Sequence, residues 1–197
     1  MGRRFVPIAG LLIIAGALLF LFLQQQNNAG RPPEGEPARA GESGTLFTDA
    51  SGGYSVASPP GWTLSDNTRA NHMIRADINL GSDTGLQIRL HNLNGAGFES
   101  YARSYVDDFA RGMRGHWGGS ISELERRDTR LGAHSCYVAA FRAGRPNGEE
   151  WFLKEYLVPH GNKVVVFQCG AKMAEREKYE PAFDSVVESL QFNYFNR

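Results

Sequence analysis

Five histidines, two cysteines and one adjacent pair of aspartates are the residues of this 197-residue chain best suited to chemistry. Metal binding and acid–base or nucleophilic catalysis all need two or more such groups held close together. His72, His91, His116, His134 and His160 are scattered, none with a second histidine two or four positions away. Neither H-E-x-x-H nor C-x-x-C occurs, so a local metal motif is absent from the sequence. A single histidine is more often a surface or core residue than a ligand. No G-x-S-x-G, P-loop or dinucleotide fingerprint is present. Gly95-Ala96-Gly97 looks superficially like a phosphate cradle. It lacks the third glycine and the preceding buried strand, and reads as the start of a helix. Asp107 and Asp108 are neighbours on that helix, where successive side chains diverge by about 100°, so they read as solvated. The expectation is therefore no catalytic, cofactor-binding or metal-ligating residue, no cofactor, and no enzyme.

These residues would be positioned by an α+β arrangement. Thr45-Leu46-Phe47 and Tyr54-Ser55-Val56 flank a glycine-bearing turn and predict a hairpin. Pro59-Pro60-Gly61 stops the strand, and Trp62 follows as an apolar anchor. Strands are expected over about 71–79 and 85–93. In the second, Leu86, Ile88 and Leu90 face one way and Gln87, Arg89 and His91 the other, the signature of a sheet with one buried face. Phe98, Tyr101, Ala102, Tyr105, Phe109 and Met113 then recur every three or four residues. They predict an amphipathic helix over about 97–114 that lays an aromatic stripe on a core.

A meander comes next, with a polar edge strand over Ser120–Leu131 and stronger strands at Cys136–Phe141, Trp151–Val158 and Lys163–Cys169. Val164-Val165-Val166-Phe167 is a continuous apolar run, as a central strand covered on both faces would be. A final helix carries Tyr179, Phe183, Val186, Val187 and Leu190, with Pro181 expected near its first turn.

Cys136 and Cys169 suggest a disulfide if the chain is exported. The meander opposes it, because an intervening strand separates theirs by two spacings of ~4.8 Å, beyond the ~7 Å that a disulfide tolerates. Either the cysteines are free and buried, or the strand order differs from a simple meander.

The N-terminus places the domain. Phe5 to Leu23 is a run of 19 residues without charge, within the roughly 17–25 needed to span a bilayer. It exceeds the about 7–15 of a signal-peptide core and is succeeded by Gln24-Gln25-Gln26-Asn27-Asn28, a poor cleavage context. The expectation is an uncleaved transmembrane anchor within residues 1–23, in contact with membrane lipid through residues 5–23. Arg3 and Arg4 precede the run, and the positive-inside rule exports the remainder of the chain. In a diderm bacterium that compartment would be the periplasm, so the expectation is a single-pass inner-membrane protein with its C-terminal domain in the periplasm. Residues 24–44, rich in Gln, Asn, Gly, Pro and Glu, read as a flexible linker, and 45–197 as the folded domain.

Charge narrows the partners. The chain holds 21 basic and 21 acidic residues; four of the basic and two of the acidic fall within 1–41, leaving 17 and 19. A domain so near neutrality offers no footprint for a phosphate backbone, so no nucleic-acid partner is expected.

The opening Phe47-x-Asp49, with Tyr54-Ser55-Val56-Ala57-Ser58-Pro59-Pro60-Gly61-Trp62, resembles that of PsbP-like and DcrB-like proteins. The close is similar too: strand Val164–Cys169, then Tyr179 to Leu190 with Phe183, and Ser189-Leu190-Gln191-Phe192. The resemblance spans about 45–193. It implies an α/β/α sandwich on an antiparallel sheet, and a role as accessory subunit, assembly helper, chaperone or envelope protein. A non-enzymatic interaction module beside a membrane complex is the leading expectation, with another membrane or periplasmic protein as partner. The alternative is an envelope small-ligand or lipid-binding protein, with an apolar pocket lined by Tyr101, Tyr105 and Phe109.

Overall fold

The computed structural model describes residues 44–49, 52–66, 76–79, 84–117 and 119–193. The expected anchor and most of the expected linker lie outside these residues, as does His72.

Among the described residues, ten strands form two antiparallel sheets, accompanied by two helices. β1 (Leu46–Asp49) and β2 (Tyr54–Ala57) make the expected hairpin, and a two-residue strand, β10 (Gln191–Phe192), adds to the other side of β2. The Asp49 carboxylate accepts the Gly52 N–H at 2.7 Å, and Gly53 turns the chain at φ 73°, a conformation that suits glycine.

The larger sheet has the order β3-β4-β5-β9-β8-β7-β6. Its members are β3 (Thr63–Asp66), β4 (Ala76–Asn79), β5 (Gly85–Asn92), β6 (Ile121–Leu131), β7 (His134–Gly144), β8 (Glu150–His160) and β9 (Lys163–Lys172). β6 to β9 form the expected meander, and β9 lies centrally, paired antiparallel with β5 along Gly85 to Asn92. The chain reaches β6 at the far edge of the sheet by way of α1 (Phe98–Trp117). β6 carries Glu123, Glu125, Arg126, Arg127, Asp128 and Arg130 and a register shift between Glu123 and Glu125, features that blunt an exposed edge.

A helix covers each face of this sheet. α1 rests on Tyr137, Ala139, Phe141, Leu153, Leu157, Val164 and Val166. α2 (Arg176–Glu188) rests on the alternate residues of the same strands, among them Val138, Phe152, Tyr156, Val165 and Phe167. Phe183 is fully buried and meets Trp62 edge-on at 5.8 Å, so the tryptophan after Pro-Pro-Gly anchors the second helix. Ser189 Oγ accepts the Ala57 N–H at 2.8 Å, tying the end of α2 to the small sheet. The result is α+β, a central antiparallel sheet sandwiched between helices.

Several expectations are corrected. Pro181 lies in the second turn of α2, not its first, because the helix begins at Arg176 after a 3₁₀ turn at Met173–Glu175. β3 and β10 were not foreseen: one is four residues after a proline stop, the other two residues, too short for a periodic signal. Of the strand expected over 71–79, 76–79 is β4 and 71–75 lie outside the described residues. Trp151, on β8, is a buried core residue, 4 % exposed. Asp107 is not merely solvated, since Arg126 Nη1 on β6 donates to it at 2.8 Å. The two cysteines are free and buried on β7 and β9 with β8 between them, as the meander required.

The most consequential correction concerns β5. Its alternation is as read, but its polar face is not open to water: Gln87 is 8 % and Arg89 4 % exposed.

Candidate functional site: a buried polar seam beneath the first helix

Register brings the seam together. Gln87 on β5 stands opposite Gln168 on β9, and Gln168 opposite Glu155 on β8. These three side chains form a row across the face that α1 covers, with Arg89 and His91 further along β5. From the helix side, α1 contributes Tyr101 and Tyr105, one helical turn apart and stacked with ring centroids 6.0 Å apart. His91 meets both rings edge-on, at 6.3 and 5.5 Å.

Hydrogen bonds knit part of this row. Arg89 Nη2 donates to Gln87 Oε1 at 2.7 Å, and Gln168 Nε2 to the Tyr105 hydroxyl at 3.0 Å. His91 Nδ1 and the Tyr101 hydroxyl are 2.5 Å apart. Burial, helped by Arg89, lowers the His91 pKa to about 4, so the imidazole is neutral at physiological pH. Burial raises both tyrosines, keeping their hydroxyls protonated.

Glu155 is the exception. It is 1 % exposed, and burial pushes its carboxyl well above the usual range, against Arg89, Gln168 and Tyr105 nearby. Those neighbours lie close enough to favour its charged form, yet neither carboxylate oxygen has a hydrogen bond of good geometry. Beside it is a cavity of about 40 Å³ lined by Gln87, Glu155, Gln168, Phe109, Met113 and Leu153, with the backbone of Gly85 and Gly170 at its walls.

A second ionic cluster holds α2 on the opposite face. Lys154 Nζ donates to Glu180 at 2.8 Å and to Asp184 at 3.0 Å, Arg176 reaches Glu180 at 2.8 Å, and the Tyr156 hydroxyl donates to Asp184 at 2.5 Å. Burial opposes the Lys154 charge, but the two carboxylates outweigh it and raise its pKa. Every partner here is satisfied internally, so the cluster fastens a helix.

The structure disperses the histidines. Of the histidines whose contacts are described, His134 and His160 flank Phe192, the latter stacked on it at 3.9 Å, while His91 belongs to the seam under α1. Among the described residues no group of three His, Cys, Asp or Glu side chains could hold a metal ion. The pocket expected between sheet and aromatic helix is largely filled, since Tyr101 and Tyr105 spend their faces on each other and on His91.

Sequence reading missed the seam by assigning Gln87, Arg89 and His91 to solvent. Two signals pointed to it: Glu155 and Gln168 interrupt otherwise apolar strands, and the stripe of α1 carries two hydroxyls that need partners when buried.

Solved structures share this architecture. Cyanobacterial PsbP (CyanoP) of Synechocystis sp. PCC 6803 superposes with a TM-score of 0.62 at 14 % identity, covering 82 % of this chain and 99 % of that one. The Ran-binding protein Mog1p of Saccharomyces cerevisiae gives 0.51 at 10 % identity, covering 75 % and 94 %. No family model and no curated protein matches the sequence. At such identities the likeness is one of architecture, and the fold is PsbP-like.

Proposed function

We propose that this protein is a non-enzymatic accessory or assembly subunit, held at a membrane by residues 5–23, whose PsbP-like domain binds another membrane or periplasmic protein. In this reading it is a single-pass inner-membrane protein with the domain in the periplasm, and nucleic acid is not a partner. The observation that carries it is the union of a 19-residue uncharged run, a polar linker and a PsbP-like domain whose polar interior is sealed under a helix. A sealed seam offers no nucleophile or acid–base pair to a substrate. Fold analogy adds support: Mog1p, of the same architecture, binds a protein, Ran.

The envelope ligand-binding alternative is less favoured. A lipid chain needs far more than a cavity of about 40 Å³.

Extraction of native membranes in mild detergent, coupled to identification of stoichiometric companions, tests the reading. A defined membrane complex that loses this protein when residues 1–30 are deleted is the expected result. A protein that fractionates alone and without membrane would overturn it.

A further inference from the structure

We propose that β10 is fastened by a histidine latch that opens in acid. Such a latch is independent of the seam under α1 and of which protein the domain binds. β10 is two residues long, with Gln191 paired to Ser55 and Phe192 to Tyr54. The Asn193 N–H then donates to the Gly53 carbonyl oxygen at 2.8 Å. So short a strand near a chain end frays readily unless side chains hold it. The large sheet supplies them. His134 opens β7 and His160 closes β8, and because these neighbours are antiparallel both rings stand at one end of the sheet. The His160 ring lies flat on Phe192, with centroids 3.9 Å apart and planes 2° apart, and His134 meets the same ring edge-on at 5.4 Å.

The two histidines differ in what a proton does to them. His134 Nε2 lies 2.6 Å from the Leu190 carbonyl oxygen, which can only accept, so that nitrogen carries its hydrogen in either charge state. A proton taken up at Nδ1 leaves this bond in place, and His134 is the fixed tie. His160 is the element that switches. Its ring is half-buried against Phe192, and Lys163 stands opposite it on β9. A cation is drawn to an aromatic face, which works against release. Burial first, and Lys163 second, nevertheless hold the His160 pKa below its ordinary 6.5. The stack therefore steadies β10 fully above pH 6.5 and loses its contribution as pH falls through the lowered value. The other charged or titratable groups around the latch are Arg130 on β6, which donates to the Ala133 carbonyl, Glu188 at the end of α2 against Gly132, and Tyr54 opposite Phe192. Release of β10 bares the edge of β2 that faces away from β1.

The test follows amide exchange in the full-length chain at about pH 7.5 and about pH 5.5, on either side of the histidine range, with intrinsic rates divided out. Protection at Asn193 is expected to fall by about threefold or more in acid, while Val165 and Val166 in β9 keep theirs. His160→Phe keeps a ring against Phe192 but takes up no proton, and should protect Asn193 equally at both values. Lys163→Gln removes the like charge and should make the acid loss smaller. His134→Phe gives up the bond to Leu190, and should lower protection at both values while leaving the acid loss in place. A readout that needs no variant is the His160 imidazole itself, which should titrate below pH 6.5 and carry the Phe192 ring resonances with it. A parallel loss at Val165 and Val166, an acid loss that persists in His160→Phe, or a His160 midpoint at or above 6.5 would each overturn the proposal.

Discussion

His91 on β5 and Tyr101 on α1 face each other with Nδ1 and hydroxyl oxygen 2.5 Å apart, joining the polar side of a strand to the aromatic stripe of a helix. Through this contact α1 caps the seam, and the imidazole is held neutral.

That neutrality makes stability depend on pH. With a folded pKa of about 4 and an ordinary value of 6.5, His91 takes up a proton more readily in the unfolded chain. Its contribution is fully present above pH 6.5 and is lost as pH falls toward 4, by at most about 3 kcal/mol. Denaturant unfolding between pH 4 and 7 should show this slope, and His91→Gln should reduce it. An unchanged slope would disprove the assignment.

Glu155 acts with the opposite sign. Its raised pKa means that the unfolded chain loses the proton first, so its effect becomes destabilising as pH rises above about 4.5. Glu155→Gln should therefore be about as stable as the parent in acid, and more stable by about 1–3 kcal/mol near pH 8. Chemical denaturation at two pH values measures the difference.

On the other face, Lys154 is nearly buried between Glu180 and Asp184. Lys154→Ala leaves Glu180 to Arg176 and Asp184 to Tyr156, and should cost about 3 kcal/mol. Amide exchange should rise across α2 more than across α1. Uniform destabilisation would mean that the cluster does not specifically fasten that helix.

Phe183→Ala empties the space beneath Trp62 and should cost about 3–5 kcal/mol, with a change in tryptophan fluorescence. A smaller loss would indicate that Trp62 collapses into the gap.

The free thiols give a simple check. Burial raises the Cys136 pKa to about 11 and pushes that of Cys169 well above the ordinary thiol value. Neither should react with a thiol reagent in the native protein, and both should react in denaturant without prior reduction. Mass spectrometry of unreduced peptides should find no link between them.

The elements that could be read in advance are those whose burial obeys a local period. Val164 to Phe167 announced a central strand, the alternation of Leu86, Ile88 and Leu90 announced β5, and the spacing of Phe98, Ala102, Tyr105 and Phe109 announced α1. The resemblance in Tyr54 to Trp62 and Ser189 to Phe192 pointed to the PsbP-like fold. The separation of Cys136 from Cys169 came from counting strands.

Tertiary structure alone decided what lies over the polar face of β5. Period-2 alternation says which side chains share a face, but not whether that face meets water or a helix. The outcome depends on α1 crossing from β5 to the far edge and bringing Tyr101 and Tyr105 onto Gln87, Arg89 and His91. Gln87, Gln168 and Glu155 likewise come from three strands, and their row exists only once β9 pairs with both β5 and β8. A local pattern encodes the polarity of each residue; the cavity beside Glu155 is set by non-local register and helix placement, which no window of sequence contains.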